Sequence, residues 1–455
     1  MALTSSEQVF RPPGLRARIV DLMRGEHTLM QRLAGAAFLT RVASAVVAFG
    51  SQILLARWMG SHEFGIYIYV WTWALLFGQA IDFGLAQSAQ RFIPEYITRN
   101  TPALLRGYLF ASRWMCIGLS ILVAILCAVA IRIAEPWLSP YLVVPLYLVC
   151  MILPAYGFAN VQDGIARSYD WVTLAFVPSF LLRQLLITGL AAATYALGLG
   201  VDAVTVTIIS GIAIWVAVIG QALVLNRRLR VQVPPGPRVY EIRTWLATSL
   251  PILLVEGFYL LLAYTDILVM QFFVAPQEAA VYYAAAKTLA LVSFISWAIA
   301  ATAAHRFSAL HAAGDRGALA AFLATTIRWT FWPSLMATLL LLLIGKQVLQ
   351  LFGTDFASGY HFMAILSIGL LARSALGPVE KLLNMLGEQR LCALVYAGAF
   401  LINLLLCLLL IPVLGAVGAA IATTVALVAE CILLFFVTRR RLGFHVFIWG
   451  NPTQI

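Results

Sequence analysis

Twelve apolar runs, each about twenty residues or longer and each ended by charged or turn residues, leave this chain few folds to choose from. A bilayer hydrocarbon core about 30 Å thick is crossed by roughly 20 helical residues. The runs fall at 33–56, 64–88, 107–131, 137–158, 171–197, 202–226, 244–270, 279–303, 329–352, 360–383, 390–412 and 414–438. Between the last two, the turn chemistry of Ile411-Pro412-Val413-Leu414-Gly415 has to carry the whole reversal. Charged residues make up only 11% of the chain, against roughly 25% in soluble domains. Strands of about ten alternating residues, the mark of a membrane β-barrel, are missing from the pattern. The expected fold is an all-α polytopic membrane protein of about twelve transmembrane helices.

An even number of spans puts both chain ends on one side, and Lys/Arg bias says which. Of the 30 basic residues, 22 fall on the side of the ends, only Arg57, Arg132 and Lys346 fall opposite, and five lie inside spans. Both termini of this multi-pass chain are therefore expected in the cytoplasm. The net charge of +11 then reads as a topology signal. It also favours anionic membrane lipids at about 1 kcal/mol per basic residue near the surface, and no folded nucleic-acid module is recognisable. Residues 1–30 read as a basic tail in which Leu15, Ile19, Leu22 and Met23 give one short amphipathic helix on the membrane surface. No removable signal peptide is expected, since an apolar stretch with a small-residue cleavage site is lacking near the start.

The six cysteines, Cys116, Cys127, Cys150, Cys392, Cys407 and Cys431, all fall in predicted helices, where they pack as small side chains rather than pair. The six histidines lack ligand spacing, and no phosphate loop ending in Gly-Lys-Ser/Thr occurs. Neither a metal nor any other cofactor is expected. A membrane polymerase or ligase of glycans would want a sizeable outward loop bearing reactive residues, and every outward loop here is short. The chain does not read as an enzyme.

The basic, proline-rich loop NRRLRVQVPPGPRVYEIR at 226–243 divides the spans six and six. It separates a lobe at 31–226 from one at 244–438, with a linker at 227–243 and a tail at 439–455. ILLARWMGSHEFGIY, from Ile53, aligns with ILVMQFFVAPQEAAVY, from Ile267, with one inserted residue: Glu63 meets Glu278 and Tyr67 meets Tyr282. Arg167 and Arg390 both stand between the fourth and fifth span of their half. Six being even, the repeats run parallel, and two pseudo-symmetric six-helix bundles around a central cavity are expected.

A charge at mid-membrane costs at least about 2.5 kcal/mol even on the mildest insertion scale, so it faces a polar cavity or a partner. Five cations fall inside spans: Arg41, Arg113, Arg183, Lys287 and Arg373. One reading makes them a lining for an anionic headgroup, because guanidinium takes phosphate through paired hydrogen bonds. The other makes Arg41, Arg183, Lys287 and Arg373 structural ion-pair partners of the buried carboxylates, and lets Arg113 snorkel. The acidic set is Asp82, Glu256, Asp266, Glu380 and Glu430. Glu256, Tyr259 and Asp266 share one side of the seventh helix, and Glu256, Asp266 and Asp82 are the candidates for ion coupling. Asp82 and Glu63, near span ends, also fit a capping or loop-anchoring role. Glu380 beside Lys381 reads as solvated surface, and Pro251 and Pro378 mark local helix breaks.

LLARWMGSHEFGIYIY followed by IDFGLAQSAQRF resembles the first helix pair of Wzx-type polysaccharide-unit flippases, within the multidrug/oligosaccharidyl-lipid/polysaccharide exporter superfamily. LLNMLGEQRL and INLLLCLLLIPVLGAVGAAIATTVALVAE, with Asn403, Pro412, Gly415, Gly418 and Ala419, resemble that family's final third. The resemblance implies an inner-membrane transporter of two six-helix bundles that moves an undecaprenyl-diphosphate-linked sugar unit by alternating access. It further implies a cation-lined cavity, carried over here by helix and face to Arg41 and Lys287, and coupling to an ion gradient or membrane potential. Partners implied are the lipid-linked oligosaccharide, membrane lipids, and the polymerase and glycosyltransferases of the same pathway, with the protein itself a monomer. A cation-coupled multidrug antiporter of the same superfamily is the alternative, with Glu256 and Asp266 as its ion site. The lipid II flippase branch usually carries additional helices, and a non-transporting scaffold would lack a hydrated cleft.

Overall fold

The computed structural model describes the backbone of residues 15–449, with side chains from residue 40 onward except at 251–252, 254–255, 301, 304–305, 308–309, 311–312 and 389. The amphipathic face expected around Leu15 and Met23 lies outside the described side chains. Among the described residues every regular element is helical. In chain order they are α1 (Leu15–Ala80), α2 (Leu85–Thr98), α3 (Pro102–Ala134), α4 (Pro140–Ser168), α5 (Val172–Phe176), α6 (Arg183–Ala196), α7 (Ala203–Gln232) and α8 (Ile242–Met270). Then come α9 (Pro276–Ala290), α10 (Ser293–Ala312), α11 (Arg316–Leu343), α12 (Gly345–Gln350), α13 (Tyr360–Leu376), α14 (Val379–Met385), α15 (Gln389–Leu414) and α16 (Ala416–Leu442).

These elements trace the twelve expected passages. α1 reverses at Gly60, whose backbone is non-helical (φ 78), so it holds the first passage and most of the second, which α2 completes. A π-helical stretch, Val177–Leu182, joins α5 to α6 as the fifth passage. α9 and α10 form the eighth, bent by 41°, and α13 and α14 form the tenth, broken at Gly377-Pro378. Among the described residues nine helices, or ten with the bent pair, are long and apolar enough to cross a membrane, the first of them spanning both passages of Thr40–Thr98; α8 completes the set.

Three boundaries differ from expectation. The second passage is interrupted at residues 81–84, where Phe83 and Gly84 take positive φ. The fourth continues to Ser168 because Asn160, Gln162 and Asp163, which read as loop, point into the lobe. The sixth continues to Gln232 because Arg227, Arg228 and Arg230 sit in the last turns of α7, where the helix dipole favours cations.

The halves share a frame at the face away from the chain ends, called here the distal face. A Glu63 carboxylate oxygen accepts a hydrogen bond from the N–H of Ala203, the first residue of α7, at 2.9 Å. Glu278 accepts from the N–H of Ala416, the first residue of α16, at 2.7 Å. Four residues beyond each glutamate and seven beyond each alanine, the pairing recurs: Tyr67 meets Ser210 at 3.1 Å and Tyr282 meets Thr423 at 3.5 Å. The alignment of Glu63 with Glu278 and Tyr67 with Tyr282 is thus matched by two equivalent contacts in space. Each glutamate satisfies an orphan amide at a helix start and places its negative charge on the positive end of the dipole.

The lobes are sealed against one another at the distal face. Arg57 donates to the carbonyls of Leu351 (2.6 Å) and Gln350 (3.4 Å), and Ser61 donates to Asp355 (3.2 Å). Phe64 meets Tyr283 and Phe356 edge-on. At Gly65 the backbones approach so closely that a Cβ would sit 1.9 Å from the Pro276 carbonyl oxygen. At the opposite face, Arg106 donates to the carbonyls of Pro234 (2.8 Å) and Pro237 (3.1 Å), and the Val239 N–H donates to Ala103 (3.0 Å), which straps the linker to α3. The start of α8 also rests on the first lobe, through Trp245 to the Tyr96 hydroxyl (2.8 Å) and Ser249 to Ser88 (2.8 Å).

Candidate substrate cavity

With the distal face sealed, the large cavity lies toward the other face. It encloses about 440 Å³ between α1 of the first lobe and α8, α10, α13, α14, α15 and α16 of the second. Arg41 is the first lobe's contribution, about 28 Å along the helix from the Gly60 turn at 1.5 Å per residue. Its guanidinium stacks on the Phe180 ring at 4.2 Å, and among the described residues it has no ion-pair partner. The opposite wall carries Glu256 and Tyr259 from α8, Trp297 from α10, Arg373 from α13, and Glu380, Lys381 and Asn384 from around α14.

The wall is not uniformly cationic, which corrects the expected lining. Arg373 lies at 3.5 Å from Glu430 and 3.9 Å from Glu380, and Lys381 at 3.3 Å from Glu380. Glu430 is fully buried; a carboxylate there would be strongly disfavoured without a neighbouring cation, so Arg373 is held by its partners while still facing the cavity. Glu380 and Lys381 are cavity residues rather than solvated surface, because the Gly377-Pro378 break turns α14 inward. Glu256 is exposed to the cavity and, among the described residues, makes no ion pair. Two opposite charges thus remain unneutralised by direct contact, Arg41 on one lobe and Glu256 on the other.

The other predicted cations lie elsewhere. Lys287 is set between the rings of Tyr283 (5.1 Å) and Tyr264 (5.2 Å). Arg183 lies over Tyr156 (5.5 Å) and Trp71 (5.8 Å). Both sit deeper, toward the sealed face, each against two aromatic rings. Across the lobe interface Gln52 of α1 donates to the Tyr283 hydroxyl beside Lys287 (3.1 Å). Arg113 is outside the cavity: its face of α3 turns to α7, where it donates to Asn226 at 2.6 Å.

Of the coupling candidates, Glu256 alone lines the cavity. Asp266 is buried and accepts from the Tyr282 hydroxyl (2.5 Å), Thr423 (3.3 Å) and the Ile267 N–H (2.8 Å). Asp82 closes the break in the second passage by accepting from the Gly84 N–H (2.9 Å). Sequence reasoning missed Asp163, buried in α4, which accepts from Gln221 (2.6 Å) and from Ser179 (3.0 Å) in the π-helical turn.

Two lobes of six passages, sealed at one face with a polar cavity toward the other, have the architecture of a membrane transporter. The profile of the family described as "Polysaccharide biosynthesis protein" matches residues 33–309, and the chain belongs to that family, within the MOP superfamily. Solved structures share the fold. A multidrug resistance MATE family transporter of the MOP superfamily in its inward-facing conformation superposes with a TM-score of 0.69 at 14% identity, over 89% of this chain and 98% of that one. The lipid II flippase MurJ, inward closed, gives 0.68 at 14% identity over 89% and 87%. A MOP transporter from Pyrococcus furiosus, whose binding pocket is described as having reverse polarity, gives 0.62 at 14% identity over 90% and 95%. No curated protein matches the chain by sequence. These relatives are transporters and flippases, not enzymes.

Proposed function

We propose that the protein flips a lipid-linked oligosaccharide unit, carried on undecaprenyl diphosphate, from the cytoplasmic to the periplasmic leaflet of a bacterial inner membrane by alternating access. Both chain ends then lie in the cytoplasm, and the cavity opens toward the leaflet on which the unit is assembled. The observation that carries the reading is the cavity itself: Arg41, without an ion-pair partner among the described residues, facing a wall of polar and aromatic side chains between two lobes. A sugar headgroup cannot cross hydrocarbon unaided, since each polar group stripped of its partners costs several kcal/mol. A wet cavity removes that cost, and Arg41 offers the diphosphate charge-assisted hydrogen bonds. Lys287 and Arg183, deeper in the interface, are the cations the headgroup meets as the distal seal parts. Glu256, Asp266 and Asp82 are the candidates for coupling, Glu256 being the one that lines the cavity; Arg113, bonded to Asn226, lies outside it.

A second reading rests on Glu256: an unpaired carboxylate in the cavity suits an organic cation and a drug antiporter. The two are separated in a strain lacking the gene. A flippase predicts lipid-linked glycan accumulating on the cytoplasmic leaflet with unchanged resistance to cationic dyes. An antiporter predicts the reverse.

A further inference from the structure

The two unneutralised charges of the cavity stand on different lobes and have opposite sign. Arg41, on α1, suits the diphosphate. On the facing wall Arg373 and Lys381 are tied to Glu430 and Glu380, which leaves Glu256, exposed to the cavity, as the wall's carboxylate without an ion pair among the described residues. Beside it Tyr259, with the Arg373 guanidinium over its ring at 5.9 Å, and Trp297 leave 39% and 41% of their surface uncovered, although both lie within the protein's own cavity. Large aromatic rings open to a cavity next to carboxylates form a surface with an apolar platform and strong hydrogen-bond acceptors. That is the complement of a sugar ring, which has a C–H face for the platform and hydroxyl donors along its edge for the carboxylates. The Glu256 carboxylate, without a paired cation among the described residues, repels a sugar that carries its own negative charge.

Resting on the flippase reading above, we propose that Glu256, Tyr259 and Trp297 form a glycan-reading subsite on the second lobe, distinct from the diphosphate position at Arg41, and that it selects an uncharged sugar over a uronic acid. The headgroup then bridges the lobes, phosphate on one and sugar on the other.

The test is equilibrium binding of three lipids to the purified full chain in nanodiscs: undecaprenyl diphosphate alone, the same lipid carrying one glucose, and the same lipid carrying one glucuronic acid. The expected result is wild-type binding of the glucosyl lipid about tenfold tighter than the glucuronosyl lipid, the size of one charge-assisted hydrogen bond. Glu256→Gln should bring the two within about twofold, and Trp297→Ala should weaken the glucosyl lipid several-fold; neither should change binding of the bare diphosphate. Equal wild-type affinity for the two glycosylated lipids, or a preference unchanged in Glu256→Gln, overturns the subsite and leaves the flippase reading standing. Failure of the wild-type protein to bind any of the three overturns the flippase reading, and the subsite with it.

Discussion

The two lobes agree at one end and differ in the middle. At the distal face, Glu63 and Glu278 cap α7 and α16 in the same way, and Tyr67 and Tyr282 repeat the next contact. From that contact inward the likeness ends. The second lobe adds Asp266 to its Tyr282–Thr423 contact and buries Glu430 against Arg373. The first lobe has Gln52 reaching across to Tyr283, and its buried carboxylate, Asp163, is held by Gln221 and Ser179 instead of a cation. The distal frame fixes where helices start, a requirement common to both bundles. The groups further in are buried polar contacts that each lobe satisfies in its own way, and there the copies have diverged.

Even within the shared frame one difference has an energetic consequence. α7 has its own cap, since the Asp202 side chain accepts from the Thr205 N–H at 2.8 Å. α16 follows Gly415 and has no such side chain, so Glu278 acts alone. Gly415 also has φ 60 and ψ −141, and a Cβ there would come within 2.7 Å of the Glu278 carboxylate.

The comparison can be broken by substitution, the largest effect first. Arg373→Ala leaves Glu430 buried without its cation and should cost about 3 kcal/mol, seen as a large drop in detergent Tm; Arg183→Ala, which strands no carboxylate, should cost about 1 kcal/mol. Equal losses would remove the distinction between the lobes' buried charges. Gly415→Ala should cost about 2 kcal/mol through its strained backbone and the crowded cap, again read as Tm. Glu278→Ala should cost about 1 kcal/mol and Glu63→Ala about half of that, because Asp202 still caps α7. A reversed order would show that the two caps are not equivalent in the way the geometry implies.

Much of the frame was legible in the sequence. Spans declare themselves by length and apolarity, and the repeat was visible because Glu63, Tyr67, Glu278 and Tyr282 keep their spacing. The partners of those glutamates were not, since Ala203 and Ala416 lie more than a hundred residues away and contribute only backbone amides. The cavity was read half correctly. Arg41 and Glu256 were found as charges inside spans, but a hydropathy run records no direction, so Arg113 counted with Arg41 although its face of α3 turns to α7. Glu380 and Lys381 were taken for surface because the inward turn of α14 depends on the Gly377-Pro378 break. Asp163 was lost to a loop because a polar stretch inside a lobe looks, in one dimension, like an exposed connection.

The most direct test of the account is flipping itself. The purified protein is reconstituted into liposomes containing a fluorescent undecaprenyl-diphosphate-linked glycan, and the fraction of label reached by a membrane-impermeant quencher is followed. Wild-type protein is predicted to expose label from the inner leaflet within minutes; Arg41→Gln, at unchanged Tm and insertion, should slow this at least tenfold. Undiminished flipping by Arg41→Gln, or none by the wild-type protein, would contradict the claim that a cation in the inter-lobe cavity carries the anionic headgroup across.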